Sequence, residues 1–226
     1  MQNDDYFQLD FGDFSDQNID SKKKAPICLV LDTSGSMSNH SGRMTRIDEL
    51  NANVLKFLDF VRRNDKAKRI SDISIISFGG QVNVVSGYTN IENINFKPLP
   101  ASGTTPMGEA MEKAIELLDL RRQYYRDNGI ERYKPIMLLM SDGDPTDEYE
   151  AIAAKVSQLV INKEIKLFPV GIGSDFNKQK MSKFSPLIQP KLIKNAEGFA
   201  KLFELLSASS SNPEDDQLEN WFDEEF

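Results

Sequence analysis

The chain has 226 residues, a length that suits one domain with terminal segments and a single hydrophobic core. The only cysteine, Cys28, lies within an apolar run, which excludes a disulfide within the chain and favours a buried structural thiol. The formal charge of -8 is unevenly distributed along the chain. Residues 1–20 carry six acids and no base, and residues 212–226 carry seven acids and no base. The segment between these two ends therefore has 22 acids and 27 bases.

The two acidic ends are predicted to lie outside the folded domain. Residues 1–24 mix acids with aromatic residues at no helical or strand period, which predicts a mobile N-terminal arm; the alternative is an arm that docks on the basic core or on a partner. Residues 209–226 form an acidic C-terminal tail. No signal-like start or membrane-spanning run is present, so we expect a cytoplasmic protein without membrane contact.

The first half of the domain predicts two buried strands, a helix and an edge strand. The apolar run 26–31 is typical of a central parallel strand, and the helical spacing after Arg46 predicts a helix to about Asn64. Residues 70–78 read as a second strand. The Gly-Gly pair that follows predicts a tight turn into a short antiparallel partner, residues 82–85, at the sheet edge.

The second half continues this alternation. Pro106 is placed to open a helix that ends at Gly129, with Thr105 as its N-cap. An apolar strand covers residues 136–140, and Asp147 is predicted to cap a helix to about Glu164. The remaining predicted elements are strands at 165–172 and 192–193 and helices at 177–184 and 199–207.

Strands that alternate with helices predict an α/β layer fold with a mostly parallel sheet. Ligands of such sheets bind beyond the carboxyl ends of the strands, where the strand order reverses. We therefore expect the loops 32–44, 101–106 and 141–147 to meet at one edge of the domain.

Two of these loops carry candidate metal ligands. Asp32, Ser34 and Ser36 follow the first strand, and Asp142 follows a later one. Carboxylate and hydroxyl oxygens are hard ligands of the kind that Mg²⁺ prefers. Because serine hydroxyls do not neutralise the ion, such a site retains affinity for one more carboxylate.

Three motifs in order resemble a known family. They are Asp32-x-Ser34-x-Ser36, Ser-Gly-Thr-Thr105-Pro-Met-Gly and Ser-Asp142-Gly, and together they resemble a von Willebrand factor A domain with a complete metal-ion-dependent adhesion site over residues 25–208. The resemblance implies a Rossmann-like sheet with helices on both faces. It also implies that Ser34 and Ser36 ligate the ion directly, that Thr105 does so in a ligand-competent state, and that Asp32 and Asp142 act through water or by hydrogen bonding the hydroxyls.

Within that family the sequence is most similar to small bacterial members of the tellurium-resistance type (TerY-like). The shared segments are Thr-Pro-Met-Gly, residues 121–130 and Ser-Asp-Gly-Asp-Pro-Thr-Asp147. This resemblance implies a bacterial stress-response or defence assembly with a neighbouring kinase or phosphatase.

The predicted function is a non-enzymatic module that captures a partner's Asp or Glu carboxylate on Mg²⁺, with Mn²⁺ or Ca²⁺ as substitutes. Met37, His40 and Asp144 are predicted to form an exposed partner-binding rim around the ion. An acid from either charged terminus is a second candidate for the open position, which would give autoinhibition or self-association.

The alternative functions are weaker. A metal-dependent phosphatase of the aspartyl-phosphate class would need an acid at position 34, and a serine nucleophile would need a base, for which His40 is the only histidine. No Gly-x-Gly-x-x-Gly follows the first strand, which disfavours a dinucleotide site. The acidic terminus ending in Phe226 is similar in composition to the tail of bacterial single-strand DNA-binding proteins, which suggests a scaffold that acts through its tails. Direct nucleic-acid binding is disfavoured by the thirteen terminal acids.

Overall fold

The computed structural model describes residues 23–142, 144–173, 176–193, 201–202, 205–206 and 220. The predicted arm and tail lie almost entirely outside these residues, as does much of the helix predicted at 199–207. Within the described part of the chain, no helix is both long and apolar enough to span a membrane.

The bounded elements of the described chain are eight strands and five α-helices. The strands are β1 (Ala25–Asp32), β2 (His40–Ser41), β3 (Met44–Thr45), β4 (Ser71–Gly79), β5 (Gln81–Thr89), β6 (Ile136–Ser141), β7 (Lys166–Ile172) and β8 (Lys191–Ile193). The helices are α1 (Arg46–Arg63), α2 (Asp65–Ile70), α3 (Met107–Asp127), α4 (Glu150–Ile161) and α5 (Lys178–Ser182). Short 3₁₀ turns cover Gly35–Ser38 and Ile91–Asn93.

Six strands form one sheet in the order β5-β4-β1-β6-β7-β8, and β2 and β3 form a separate small hairpin. All neighbours in the large sheet are parallel except β4 and β5, which are antiparallel. The α/β class, the mostly parallel sheet and the antiparallel edge strand are therefore confirmed. The strand order reverses at β1, because β4 lies on one side of it and β6 on the other, so the carboxyl ends of β1 and β6 flank the switch point.

The core has two layers, one on each face of the sheet, and β1 divides between them. Ile27, Leu29 and Leu31 pack with the apolar face of α1, whereas Cys28 and Val30 pack with α3 and α4. All eight residues of β1 are buried, which explains why this strand reads as a continuous apolar run. Cys28 has no disulfide partner, and burial raises the pKa of its thiol to about 12, so it is an unreactive part of the core.

Two local predictions differ from the structure. The edge strand β5 is longer than the predicted 82–85, because it continues to Thr89 past an irregular register opposite Ile75. Thr105 does not cap α3; the carboxylate of Asp147 does so by accepting the backbone N–H groups of Gly108 and Glu109 at 3.1 and 2.9 Å.

The helix that Asp147 was predicted to cap begins only at Glu150, so that prediction is wrong. The physical reason is that the loop after β6 crosses the N-terminus of α3 closely. A Cβ atom on Gly108 would lie 2.7 Å from the backbone oxygen of Glu148. Asp147 therefore caps α3, which lies beside it in space, and not α4, which follows it in the sequence.

Candidate metal centre

Backbone hydrogen bonds join the loop after β1 to the segment before α3. The N–H of Ser102 donates to the carbonyl of Thr33 at 2.8 Å, and the N–H of Gly35 donates to the carbonyl of Gly103 at 3.0 Å. The turn after β4 is tied to the same segment by the N–H of Gly80, which donates to the carbonyl of Thr104 at 2.9 Å. These bonds hold the motif residues of two different loops at the carboxyl edge of the sheet, as predicted.

Glycine is required where these loops touch. Gly103 has φ +76°, and a Cβ atom there would lie 2.5 Å from the Cα of Gly80. A side chain at Gly79 would meet the carbonyl oxygen of Thr33 at 2.3 Å. The turn after β4 can therefore lie against both the aspartate loop and the loop carrying Thr105 only because glycines occupy these contact points.

Four of the predicted site residues form one chain of hydrogen bonds. The N–H of Ser34 donates to Asp32 Oδ1 at 2.8 Å, and the hydroxyl oxygens of Ser34 and Ser36 lie 3.1 Å apart. The hydroxyl of Ser36 donates to Asp142 Oδ1 at 2.6 Å. Ser36, in the turn after β1, and Asp142, directly after β6, are thus in direct contact across the switch point, although they are 106 positions apart in the sequence.

Thr105 lies at the same edge but is held differently. It is buried, and its backbone is fixed by Thr146, whose hydroxyl accepts the N–H of Thr105 and whose own N–H donates to the carbonyl of Thr105, both at 3.0 Å. Among the described residues, no hydrogen bond joins the Thr105 side chain to the four residues above. Its role as a ligand stays a prediction from the motif, as do the ligand roles of the other four.

Two further residues hold the aspartates, and neither was predicted. The hydroxyl of Ser141 donates to Asp32 Oδ2, and the guanidinium of Arg46 pairs with Asp142 Oδ2 at 2.7 Å. A signal for Arg46 does exist in the sequence, because a cation at the first residue of a helix opposes the helix dipole and needs an acidic neighbour to be tolerated. Ser141 lies directly before Asp142 and resembles any polar residue at a strand end.

The predicted rim is partly wrong. Met37 is fully buried and belongs to the same core cluster as β1 and α1, because the 3₁₀ turn directs its side chain into the core, so it cannot contact a partner. His40 and Asp144 are exposed, and Asp144 pairs with Lys180 at 3.2 Å. Gly35, Gly103 and Thr104 are also exposed, next to the half-buried Ser36.

The electrostatics of the cluster favour a cation. Burial raises the pKa of Asp32 from 3.8 to about 6, although hydrogen bonds from Ser141 and Ser34 act in the opposite direction. Among the described residues no basic group pairs with Asp32, whereas Asp142 has Arg46. A divalent ion beside Ser34 and Ser36 would supply the missing positive charge.

The donor set also limits the type of metal. The described residues contain no group of three or more His, Cys, Asp or Glu side chains that could hold an ion, so a site here depends on hydroxyl groups together with two carboxylates. Such oxygen donors fit hard cations such as Mg²⁺, Mn²⁺ or Ca²⁺ better than soft metals.

Comparisons with known structures agree with this fold at low sequence identity. Proximal thread matrix protein 1 from the mussel byssus, with a zinc-occupied MIDAS motif, matches with a TM-score of 0.59 and 16% identity over 86% of this chain and 47% of that one. A von Willebrand factor type A protein from Catenulispora acidiphila matches with a TM-score of 0.59 and 18% identity over 84% and 43%. Manganese-loaded TRAP from Plasmodium vivax matches with a TM-score of 0.55 and 18% identity over 79% and 71%.

This chain thus spans less than half the length of several of the proteins it resembles. A comparison with curated protein sequences finds no match. The model of the von Willebrand factor type A domain, in contrast, matches residues 27–207, which include every residue of the hydrogen-bonded cluster. The chain belongs to the von Willebrand factor type A domain family.

Proposed function

We propose that this protein is a non-enzymatic module that binds a partner protein through a divalent metal ion, with Mg²⁺ as the ion in the cell. Ser34, Ser36 and Thr105 would hold the ion directly, and Asp32 and Asp142 would act through water or by orienting the hydroxyls. The observation that carries the proposal is the continuous chain of hydrogen bonds that joins Asp32 to Asp142, together with the burial of Asp32, which raises the pKa of its carboxyl to about 6. The zinc and manganese in two similar structures support it.

The ion would recognise an Asp or Glu side chain of the partner. Mg²⁺ has near-octahedral coordination and binds hard oxygen donors, so a carboxylate suits a position that the protein leaves open. The partner's acid would enter beside the exposed Gly35 and Thr104. His40 and Asp144 are exposed and remain in the proposed rim, whereas Met37 is removed from it.

A metal-dependent hydrolase is the second candidate, and the contacts of the serines argue against it. The hydroxyl of Ser36 donates to Asp142 Oδ1, but the other oxygen of that carboxylate is held by Arg46, which weakens it as a base. Phosphatase and nucleotide-hydrolysis assays with Mg²⁺ test this alternative directly. Turnover that is lost in Ser34→Ala would replace the binding proposal with an enzymatic one.

We place the module in the cytoplasm of a bacterium, within a stress-response or defence assembly that includes a kinase or phosphatase. This setting rests only on the resemblance of residues 121–130 and the neighbouring motifs to proteins of the tellurium-resistance type. The partner would be identified by mass spectrometry after a pull-down from such a bacterium.

The decisive experiment is a pull-down with and without chelator, using Ser34→Ala and Ser38→Ala as a matched pair. Ser34 is buried in the cluster, whereas Ser38 is an exposed serine of the same loop whose hydroxyl donates to the carbonyl of Gly35. Metal-dependent binding should be lost in Ser34→Ala and kept in Ser38→Ala. Binding that survives both EDTA and Ser34→Ala contradicts the proposal.

The acidic termini offer a second occupant for the same position. If an acid of residues 1–20 or 212–226 reaches the ion, deletion of both segments should raise partner affinity or abolish oligomers seen by light scattering. If neither quantity changes, the termini do not compete for the metal, and the proposed binding of a foreign carboxylate stands without them.

A further inference from the structure

The carboxylate of Asp142 is shared between two partners of different kinds. Its Oδ1 accepts the hydroxyl of Ser36 at 2.6 Å, and its Oδ2 pairs with Arg46 at 2.7 Å. The side chains of Arg46 and Asp142 are 9% and 0% exposed, so this ion pair is almost removed from water. The guanidinium is therefore separated from a predicted metal ligand by a single carboxylate group.

The surrounding structure accommodates this guanidinium in a position that is unfavourable for a cation. Arg46 is the first residue of α1, where the positive end of the helix dipole disfavours a cation. The turn after β7 makes room for it, because a Cβ atom on Gly173 would lie 2.3 Å from an Arg46 nitrogen. Its backbone N–H is also held by the carbonyl of Asn39 at 2.9 Å. Asn39 thus anchors the backbone of Arg46, Gly173 leaves space for its guanidinium, and Asp142 binds that guanidinium.

We propose that Arg46 limits the negative charge that Asp142 offers to the metal ion, so that the bound ion keeps positive charge for a partner's carboxylate. The inference rests on the proposed function and adds that Arg46 controls how strongly the bound ion attracts the partner's carboxylate. Two carboxylates alone would neutralise a divalent ion. With the guanidinium beside one of them, about one unit of positive charge remains.

Arg46 also restrains where the carboxylate can go. Since Oδ2 is held by Arg46, Asp142 faces the site only through Oδ1, which is engaged with Ser36. The arrangement keeps Asp142 in the role of orienting a hydroxyl. Arg46 is thus a positioning residue that acts on the ion through Asp142.

The test is calorimetric titration of Mg²⁺ and of Mn²⁺ into the full chain at pH 8, with wild type, Arg46→Gln and Arg46→Lys. A unit charge within about 8 Å, at an effective dielectric constant near 20, changes the binding constant of a divalent ion by more than tenfold. We expect Arg46→Gln to bind both metals at least tenfold more tightly, and Arg46→Lys to stay within about threefold of wild type. Unchanged or weaker binding in Arg46→Gln overturns the inference.

Arg121→Gln is the matched control. Arg121 pairs with the buried Asp72 at 2.5 Å in a similar ion pair, on the β4 and α3 elements away from the candidate ligands. Both Gln variants should lower the melting temperature of the metal-free protein, but only Arg46→Gln should change metal affinity. Equal changes in the two variants would indicate a general loss of structure and contradict the proposal.

A charge-balanced variant covers the case in which Arg46→Gln does not fold. Asp142→Asn alone leaves the guanidinium beside the ion without its acid, so its metal affinity should fall more than tenfold. Adding Arg46→Gln to it removes that cation, and the double variant should regain at least tenfold; no recovery overturns the inference. If neither wild type nor Arg46→Gln binds Mg²⁺ or Mn²⁺, the proposed function fails and this inference with it, whereas equal binding by both overturns the inference alone.

Discussion

Replacing Asp32 by Asn should stabilise the metal-free protein while it removes metal binding. Asp32 is fully buried, its Oδ1 accepts the N–H of Ser34 at 2.8 Å, and its Oδ2 accepts the hydroxyl of Ser141. An asparagine has the same shape, accepts the N–H of Ser34 with its oxygen and can donate its amide N–H to the oxygen of Ser141. The substitution therefore removes the charge and keeps both hydrogen bonds.

The expected gain follows from the pKa of Asp32, which burial raises from 3.8 to about 6. Because the folded state binds this proton more tightly than the unfolded state, the contribution of Asp32 to stability is most favourable below pH 4 and is lost as the pH rises through 6. At pH 8 the ionised carboxylate costs the folded protein about 3 kcal/mol, at roughly 1.36 kcal/mol per pKa unit. For a domain of this size that is a gain of about 6–12 °C in the melting temperature of Asp32→Asn.

The assay is thermal unfolding in EDTA and in Mg²⁺ from pH 4 to pH 8. The difference between Asp32→Asn and wild type should be largest at pH 8 in EDTA and should vanish near pH 4. With the ion at 100 times its dissociation constant, wild type should gain about 2.7 kcal/mol and the variant almost nothing. Asp59→Asn, at a half-exposed surface pair with Arg63, is the control and should match wild type throughout.

Two outcomes would refute this reasoning. If Asp32→Asn is less stable than wild type in EDTA at pH 8, the carboxylate is not a source of strain in the metal-free fold. If the variant is more stable by the same amount at pH 4 and pH 8, the gain does not come from the charge. Either result would also weaken the electrostatic case for a cation at this position.

Three further predictions concern the parts that support the site. Gly103→Ala, at φ +76° and with its Cβ only 2.5 Å from the neighbouring loop, should cost about 1–3 kcal/mol and reduce the Mg²⁺-induced rise in melting temperature, whereas Gly42→Ala, at φ +80° in open space, should leave that rise unchanged. Asp147→Ala should cost about 1 kcal/mol in urea unfolding, because α3 loses its cap, and Asp147→Asn should cost less. Tyr125→Phe, which removes a hydroxyl donor from the buried Asp72, should cost about 1–3 kcal/mol without changing metal affinity measured by titration.

The fold could be predicted because its central strands are buried on both faces. The runs that became β1, β6 and β7 are almost wholly apolar, and each ends where a turn or a polar loop begins. The pairing of Asp32 with the Asp142 region follows from the same fact, since parallel strands bring their carboxyl ends to one edge.

The errors arose where a residue is governed by a distant segment. Met37 follows a polar loop and has no periodic neighbours, so nothing in the sequence indicates that a single 3₁₀ turn buries it beside α1. Asp147 precedes one helix and caps another, because the register of two packed loops decides which N–H groups it reaches. Thr105 is positioned by its backbone contacts with Thr146 and not by the capping role that its sequence neighbours suggest.

The two aspartates of the cluster differ in a way that the motif alone does not reveal. Asp32 is buried, it accepts hydrogen bonds from Ser34 and Ser141, and burial and the nearby Asp142 raise its pKa. Asp142 is buried beside a guanidinium that balances its charge. A cation that enters the cluster gains most from Asp32, because that carboxylate has no other positive partner among the described residues. Asp142 adds little further neutralisation, so a proposed ion between the two would be held by one strong electrostatic contact and would retain the charge needed to attract an acidic group from outside.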